Sequence, residues 1–282
     1  MKHTMNQHQI FNSDIYQTFL EQISCQEYIE TDNHIQPSNS ILDFLPMDTE
    51  ELWLENQKIQ DDTNTINYYL TNPIQYRLNN HGYRTDYQFK KGDEVNIFLG
   101  CSHTMGIGLH IEDTWSYLLN KQIGGKFANL AVGGCGIETQ FRHLIKWIGY
   151  FKVNNIFHYQ PMYAREELLY EDRHLGFLNT HFPDELKPVS DYFKYSLISE
   201  PHIFRKYLTN IMAIENIANK IGAKYYFNHS SPNSPESPNN IQARDFAHYS
   251  IEQNHEICNI FLERIGTNDT SIPISDKFLN II

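Results

Sequence analysis

Three short stretches of this chain carry residue types that could act together in catalysis. The first is Gly100-Cys101-Ser102-His103-Thr104-Met105-Gly106-Ile107-Gly108. A phosphate loop requires G-x-x-x-x-G-K-[ST], so that backbone amides and a lysine hold the phosphates. Here Gly100 and Gly106 stand one residue too far apart, and Ile107 takes the lysine's place. A dinucleotide fingerprint needs a third glycine where Ile111 stands, and the elbow G-x-S-x-G needs one where Thr104 stands. What remains is Ser102, one residue beyond a strand-terminal Gly-Cys, exposed at the mouth of a helix. By itself it reads equally as an ordinary helix cap. The second stretch is Asp245-Phe246-Ala247-His248. A carboxylate three residues before a histidine, on a loop entering a helix, lets both side chains reach one point. The aspartate can then orient the imidazole, whose other nitrogen takes a proton from a serine. The third is Asn129-Leu130-Ala131-Val132-Gly133-Gly134. Paired glycines at a strand end free backbone amides to approach an oxyanion, and they equally suit a tight turn.

The elements that must position these residues follow from periodicity. From residue 94 onward, short apolar runs alternate with helical stretches, the pattern of a parallel α/β sheet. Residues 95–99, 127–132, 155–159 and 223–227 read as strands. Residues 114–121, 138–151, 203–221 and 255–265 read as helices, the third amphipathic through Phe204, Leu208, Ile211, Ile214, Ile217, Ala218 and Ile221, with Gly222 as its cap. Residues 161–201 are too long for a simple connection and read as an insertion or lid, and 229–240 as a surface loop. In open α/β sheets, chemistry lies beyond the carboxyl ends of the strands. The turns at Gly100-Cys101-Ser102, Gly133-Gly134-Cys135 and Gln160-Pro161 should therefore converge. Residues 1–93 are rich in Asn, Gln, Asp and Thr, with short amphipathic segments at 16–20 and 50–54. They read as an N-terminal extension packed on a main domain of residues 94–282, or as a small accessory binding region.

Composition narrows the function classes. With 282 residues and 40% apolar content, the chain can bury a substantial core. Lys and Arg number 22 against 34 Asp and Glu, a formal charge of −12. That balance argues against a nucleic-acid partner, which needs basic patches. No apolar run is long enough to span a membrane. The polar first 11 residues lack the apolar core of a signal peptide, so a cytoplasmic location is expected. Cys25, Cys101, Cys135 and Cys258 form no C-x-x-C pair, and no H-E-x-x-H occurs. Neither a metal nor a cofactor is expected. Cys101 and Cys135 flank residues that should face one oxyanion; two buried thiols are expected there in preference to a disulfide. His103, adjacent to Ser102, should point its side chain elsewhere.

Taken in order, these blocks resemble the SGNH (GDSL-like) hydrolase family of esterases and lipases. Gly100-Cys101-Ser102 is similar to that family's Gly-Asp-Ser block, with Cys in place of Asp, and Thr104 and Gly106 continue it. Residues 114–119 resemble the aromatic helix that follows, and 129–134 the block whose final glycine lends its amide to the oxyanion hole. Asp245-x-x-His248 resembles the last block. The resemblance covers residues 94–265. One departure is plain: the family's third block supplies an Asn, whereas here the strand runs into Gln160-Pro161-Met162-Tyr163-Ala164-Arg165. Gln160 and Arg165 are the two candidates to replace that donor, and each could equally have a local structural role.

The resemblance implies a three-layer α/β/α, flavodoxin-like domain. It implies ester hydrolysis with Ser102 as nucleophile, His248 as base and Asp245 as its orienting carboxylate. The Ser102 and Gly134 amides, with Gln160 or Arg165, would bind the oxyanion. A small-molecule or carbohydrate ester, such as an O-acetyl sugar, is the expected substrate. The rival expectation is a catalytically weakened glycan-binding or structural protein on the same fold. Oligomeric state is not legible in the sequence.

Overall fold

The structure, a computed structural model, describes residues 36–160, 165–170, 173–178, 200–229, 231–232 and 240–272. Its centre is a four-stranded parallel sheet of β3 (Glu94–Gly100), β4 (Lys126–Asn129), β5 (Lys152–Tyr159) and β8 (Lys224–Asn228), in the order β4-β3-β5-β8. Helices α5 (Ile137–Ile148) and α6 (Glu200–Ile221) cover one face. Helices α4 (Trp115–Ile123) and α7 (Ile251–Thr267) cover the other. The chain is thus the expected three-layer α/β/α sandwich, with the strand order of a flavodoxin-like sheet.

Strand alternation divides the core in two. Val95, Ile97 and Leu99 of β3, Ile156 of β5, and Tyr225 and Phe227 of β8 meet Leu144, Trp147, Phe204, Leu208 and Ile211. Their neighbours Phe98, Phe157 and Tyr226 point the other way, onto Trp115, Leu119, Ile257 and Phe261. With both faces covered, the strands carry continuous apolar runs. Phe98 stacks on Phe157, centroids 5.1 Å apart, and packs edge-on against Trp115 at 5.7 Å. Replacing so buried an aromatic by Ala removes about 3–5 kcal/mol of stability.

Element boundaries follow local chemistry. The strand expected at 127–132 is ordered as strand only through Asn129. There the Asn129 side chain accepts from the Ala131 amide at 3.1 Å and turns the chain out of the ladder. Ile221, expected on the buried side of α6, is exposed at the helix end. Ser250 and Gln253 form a capping box that starts α7 at Ile251, four residues before the expected 255. Within the expected insertion, β6 (Arg165–Tyr170) and β7 (Arg173–Leu178) form an antiparallel hairpin. The segments at 16–20 and 179–199, and most of 229–240, lie outside the described residues.

Residues ahead of β3 contribute two short paired strands, β1 (Ile41–Leu42) and β2 (Tyr76–Arg77). They also contribute α1 (Glu50–Ile59), capped by Thr49, and α2 (Thr63–Thr71), capped by Asp62. Leu45, Trp53, Tyr69, Ile74 and Tyr76 pack on Met105, Ile107 and Ala131, at the carboxyl end of the sheet. No helix of the described residues is long and apolar enough to cross a membrane.

Candidate active site

Ser102 opens α3 (Ser102–Met105), a single turn directly after β3. Glycine is required at position 100 by close approach. A Cβ there would lie 1.9 Å from Thr104 Oγ1 and 2.8 Å from the Tyr159 carbonyl. The chain can therefore fold α3 tightly back over the strand end. Cys101 occupies the cap position and makes no side-chain capping bond, so Ser102 is the first helical residue and not the cap. The turn is held from outside: Asn129 Nδ2 and Ser116 Oγ both donate to the Thr104 carbonyl, at 3.2 and 3.1 Å. Ser102, expected to be exposed, is instead 2% exposed, covered where α3 folds back over the strand end, and its buried Oγ has no hydrogen-bond partner among the described residues. Buried hydroxyls are nearly always partnered, so this one stands out.

Asp245 and His248 are brought together. Asp245 Oδ2 meets His248 Nδ1 in a short hydrogen bond, and Oδ1 accepts from the backbone amides of Ala247 and His248, both at 3.2 Å. The Asp245 side chain is fully buried and that of His248 is 7% exposed. Phe246 between them has φ of +54°, a left-handed conformation that a non-glycine residue seldom adopts. Such strain gathers at functional sites.

His103 departs from expectation. Its ring stacks on Tyr249 with centroids 3.9 Å apart and lies 5.0 Å from the His248 ring. It points toward the Asp245-His248 loop because α3 starts at Ser102, which turns successive side chains by about 100° along that single turn. Burial, followed by the positive charges of His248 and Arg165, pushes its pKa down to about 3. His103 is therefore neutral at pH 7 and a weak base. It places His248 beside the residue that follows Ser102.

The turn after β4 exposes Gly134, at φ +77° with open space around its α-carbon. Next to it, Cys135 Sγ donates to the Gly100 carbonyl at 3.2 Å and ties this turn to the end of β3. Cys101 and Cys135 are buried free thiols, as expected. Burial and the neighbouring Cys101 push the Cys135 thiol well above its usual range.

The two candidate replacements for the missing Asn have different surroundings. Gln160 is buried, and its side-chain oxygen accepts from Gln140 Nε2 at 2.5 Å. Its amide donates to the Asn228 carbonyl at 3.0 Å, which carries the β5–β8 ladder one step further. Arg165 opens β6 beside the turn that contains Gly134. Its carbonyl lies 2.9 Å from where a Cβ on Gly136 would be. Its charge acts on both Cys135 and His103, and its buried Nη1 has no partner among the described residues.

No set of three or more His, Cys, Asp or Glu among the described residues could hold a metal ion. A cavity of about 550 Å³ opens between residues 73–86 and 110–117, and none of Ser102, Asp245 or His248 lines it. Sequence reasoning missed four buried residues, Asp48, Tyr76, Arg84 and Arg244, that tie the loops of this site together. Only Arg244 carried a signal, as the neighbour of Asp245.

No family model matches the chain. No curated protein matches it. Among solved structures it is similar to a member of the lipolytic protein G-D-S-L family from Veillonella parvula, with 10% identity and a TM-score of 0.29, over 62% of this chain and 74% of that one.

Proposed function

We propose that this protein is a serine esterase that hydrolyses short-chain carboxylic esters through an acyl-enzyme. The observation that carries this reading is the Asp245–His248 contact on a strained, buried loop, whose His248 ring lies 5.0 Å from the ring of His103, the residue that follows Ser102. Asp245 holds the Nδ1 proton of His248, which leaves Nε2 as the acceptor. His248 Nε2 takes the Ser102 proton as Oγ attacks the ester carbonyl. Asp245 stabilises the imidazolium that results.

The negative charge on the carbonyl oxygen is received by the amides of Ser102 and Gly134. Ser102 N–H lies in the first turn of a helix and so has no intrahelical acceptor. Arg165 is favoured over Gln160 as the third donor, because its Nη1 is buried with no partner among the described residues, while the Gln160 side-chain amide is engaged by Gln140. The imidazolium then protonates the departing alcohol. Water, deprotonated by His248, attacks the acyl-enzyme and releases the acid.

An Oγ enclosed to this degree suits a small acyl group. Buried polar atoms on Arg165, Gln140 and His229 with no partner among the described residues, all near the carboxyl ends of the strands, suit a polar alcohol such as a sugar. The test is hydrolysis of p-nitrophenyl acetate, butyrate and octanoate by the wild type and Ser102→Ala. Turnover of acetate that vanishes in the variant is expected. No activity above the variant on any ester would overturn the esterase reading and favour a glycan-binding protein. Octanoate turned over as fast as acetate would overturn the short-acyl part alone.

A further inference from the structure

The loop after Ser102 and the loop carrying Asp245 and His248 are separated in sequence by more than a hundred residues, yet they meet. Gly108, at φ +78°, lies so close that an added Cβ would stand 2.9 Å from Asp245 Oδ1 and 3.1 Å from the Arg244 amide. What fixes this approach is a closed circuit of hydrogen bonds through residues that precede the sheet.

The circuit has four members. Tyr76 donates its hydroxyl to Asp48 Oδ2. The same hydroxyl accepts from the Gly108 amide at 2.8 Å. The Gly108 carbonyl accepts from the Arg244 amide at 2.7 Å. Arg244 closes the circuit by donating Nε and Nη2 to the Asp48 carboxylate, at 2.7–3.1 Å. Asp48, Tyr76 and Arg244 are all buried. Burial, then the Asp48 charge, pushes the Tyr76 phenol upward, so it stays protonated and remains the donor.

Further contacts grip each loop separately. The guanidinium of Arg84, fully buried against the Tyr76 ring at 4.4 Å, donates to the carbonyls of Met105, Gly106 and Leu109. Asn56 donates to the Asp245 carbonyl itself, at 3.3 Å. A hydrogen-bonded Arg–carboxylate pair shielded from water is directional, and losing one partner strands the other.

We propose that Asp48 and Tyr76 are positioning residues of the active site: through Gly108 and Arg244 they set the separation between the Ser102 loop and the Asp245-His248 loop. This rests on the esterase reading for its kinetic consequence, although the positioning can be observed without turnover. On this view the segment ahead of the sheet is a brace for catalysis. A misplacement of about 1 Å at a catalytic group lowers rate by on the order of 10²-fold.

The experiment uses the full chain with Tyr76→Phe and Asp48→Asn. Three quantities are read: kcat per titrated active site and KM with p-nitrophenyl acetate, the low-field NMR resonance of the His248 Nδ1 proton, and thermal unfolding. For Tyr76→Phe, which removes one oxygen atom, kcat per site should fall about 10–100-fold with KM within about twofold. The low-field resonance should shift or broaden. Asp48→Asn should lose at least as much. If Asp48→Asn does not fold, Tyr76→Phe decides. An unchanged kcat per site and an unchanged resonance in Tyr76→Phe would overturn the proposal, whatever the loss in unfolding temperature. Should the wild type hydrolyse no ester, the esterase reading falls, and the resonance alone decides whether Tyr76 positions the Asp245-His248 pair.

Discussion

Gly108→Ala tests how tightly the two loops are matched. The new methyl group has two separable effects. The first is backbone strain: Gly108 sits at φ +78°, where a Cβ is unfavourable by roughly 1–2 kcal/mol. The second is collision. The Cβ would lie 2.9 Å from Asp245 Oδ1 and from Ala243 Cβ, whereas ordinary contact begins at 3.4 Å. Asp245 must therefore retreat by about half an ångström, and it also accepts from the amides of Ala247 and His248, so the imidazole moves with it.

Gly92→Ala supplies the control. Gly92 has φ +82° with nothing within 4 Å, so it carries the strain without the collision. At about 2–4 °C per kcal/mol for domains of 150–250 residues, Gly92→Ala should lower the unfolding temperature by about 2–8 °C and leave kcat unchanged. Gly108→Ala should lower it further and reduce kcat on p-nitrophenyl acetate by about 10–100-fold, half an ångström being a sizeable part of a misplacement known to be harmful. Equal kcat in the two variants would refute the reasoning, because the collision with Asp245 would then have no catalytic consequence.

Asp245→Asn should lower kcat by about 10⁴-fold, the size of effect seen when the orienting carboxylate of a serine triad is neutralised; activity within about tenfold of wild type would exclude the assigned role. Arg165→Met should lower kcat by about 10²–10³-fold with little change in KM, since an oxyanion donor acts in the transition state; a change confined to KM would make Arg165 a substrate-binding residue instead. Acid should destabilise the fold through His103 and His158, whose pKa values burial pushes down to about 3 from 6.5. Between those values the unfolded chain binds more protons, so stability is complete above pH 6.5 and declines toward pH 3, by about 1.4 kcal/mol per pH unit for each proton taken up. Thermal unfolding of His103→Phe across that range should show a shallower decline than wild type. Cys135, buried with its thiol pushed upward, should resist iodoacetamide in the native protein at neutral pH and react after unfolding; rapid native labelling would contradict the burial.

What could be read from the sequence was the part governed by short-range pattern. β3, β5 and β8 announce themselves as apolar runs because both sheet faces are covered, and α6 by its 3.6-residue spacing. Ser102, Gly134, Asp245 and His248 could be singled out because each stands at a strand end or helix entry. The brace could not be. Asp48 reaches Arg244 across 196 positions, and nothing near Asp48 distinguishes it from the other acidic residues of an Asn- and Asp-rich segment. Arg84 likewise looks like a surface cation in the sequence, although it is fully buried beneath the loop that follows Ser102. Buried charges are legible only from the partners that satisfy them: those of Asp48 stand far away in sequence, and those of Arg84 are backbone carbonyls, which leave no mark in residue type.

His103 and His248 show why type alone was insufficient even within the site. Their rings stand 5.0 Å apart, so residue type and neighbourhood alone do not separate them. Only His248 has a carboxylate on Nδ1, the partner that the proposed base requires. A second cation at that distance would oppose the imidazolium that the proposed attack forms. Burial of His103, with no partner on Nδ1 among the described residues, keeps it neutral, while its stacking on Tyr249 fills the wall beside His248. The two rings thus differ in a single carboxylate contact, which is the contact that the proposed brace through Asp48 and Tyr76 would hold in place.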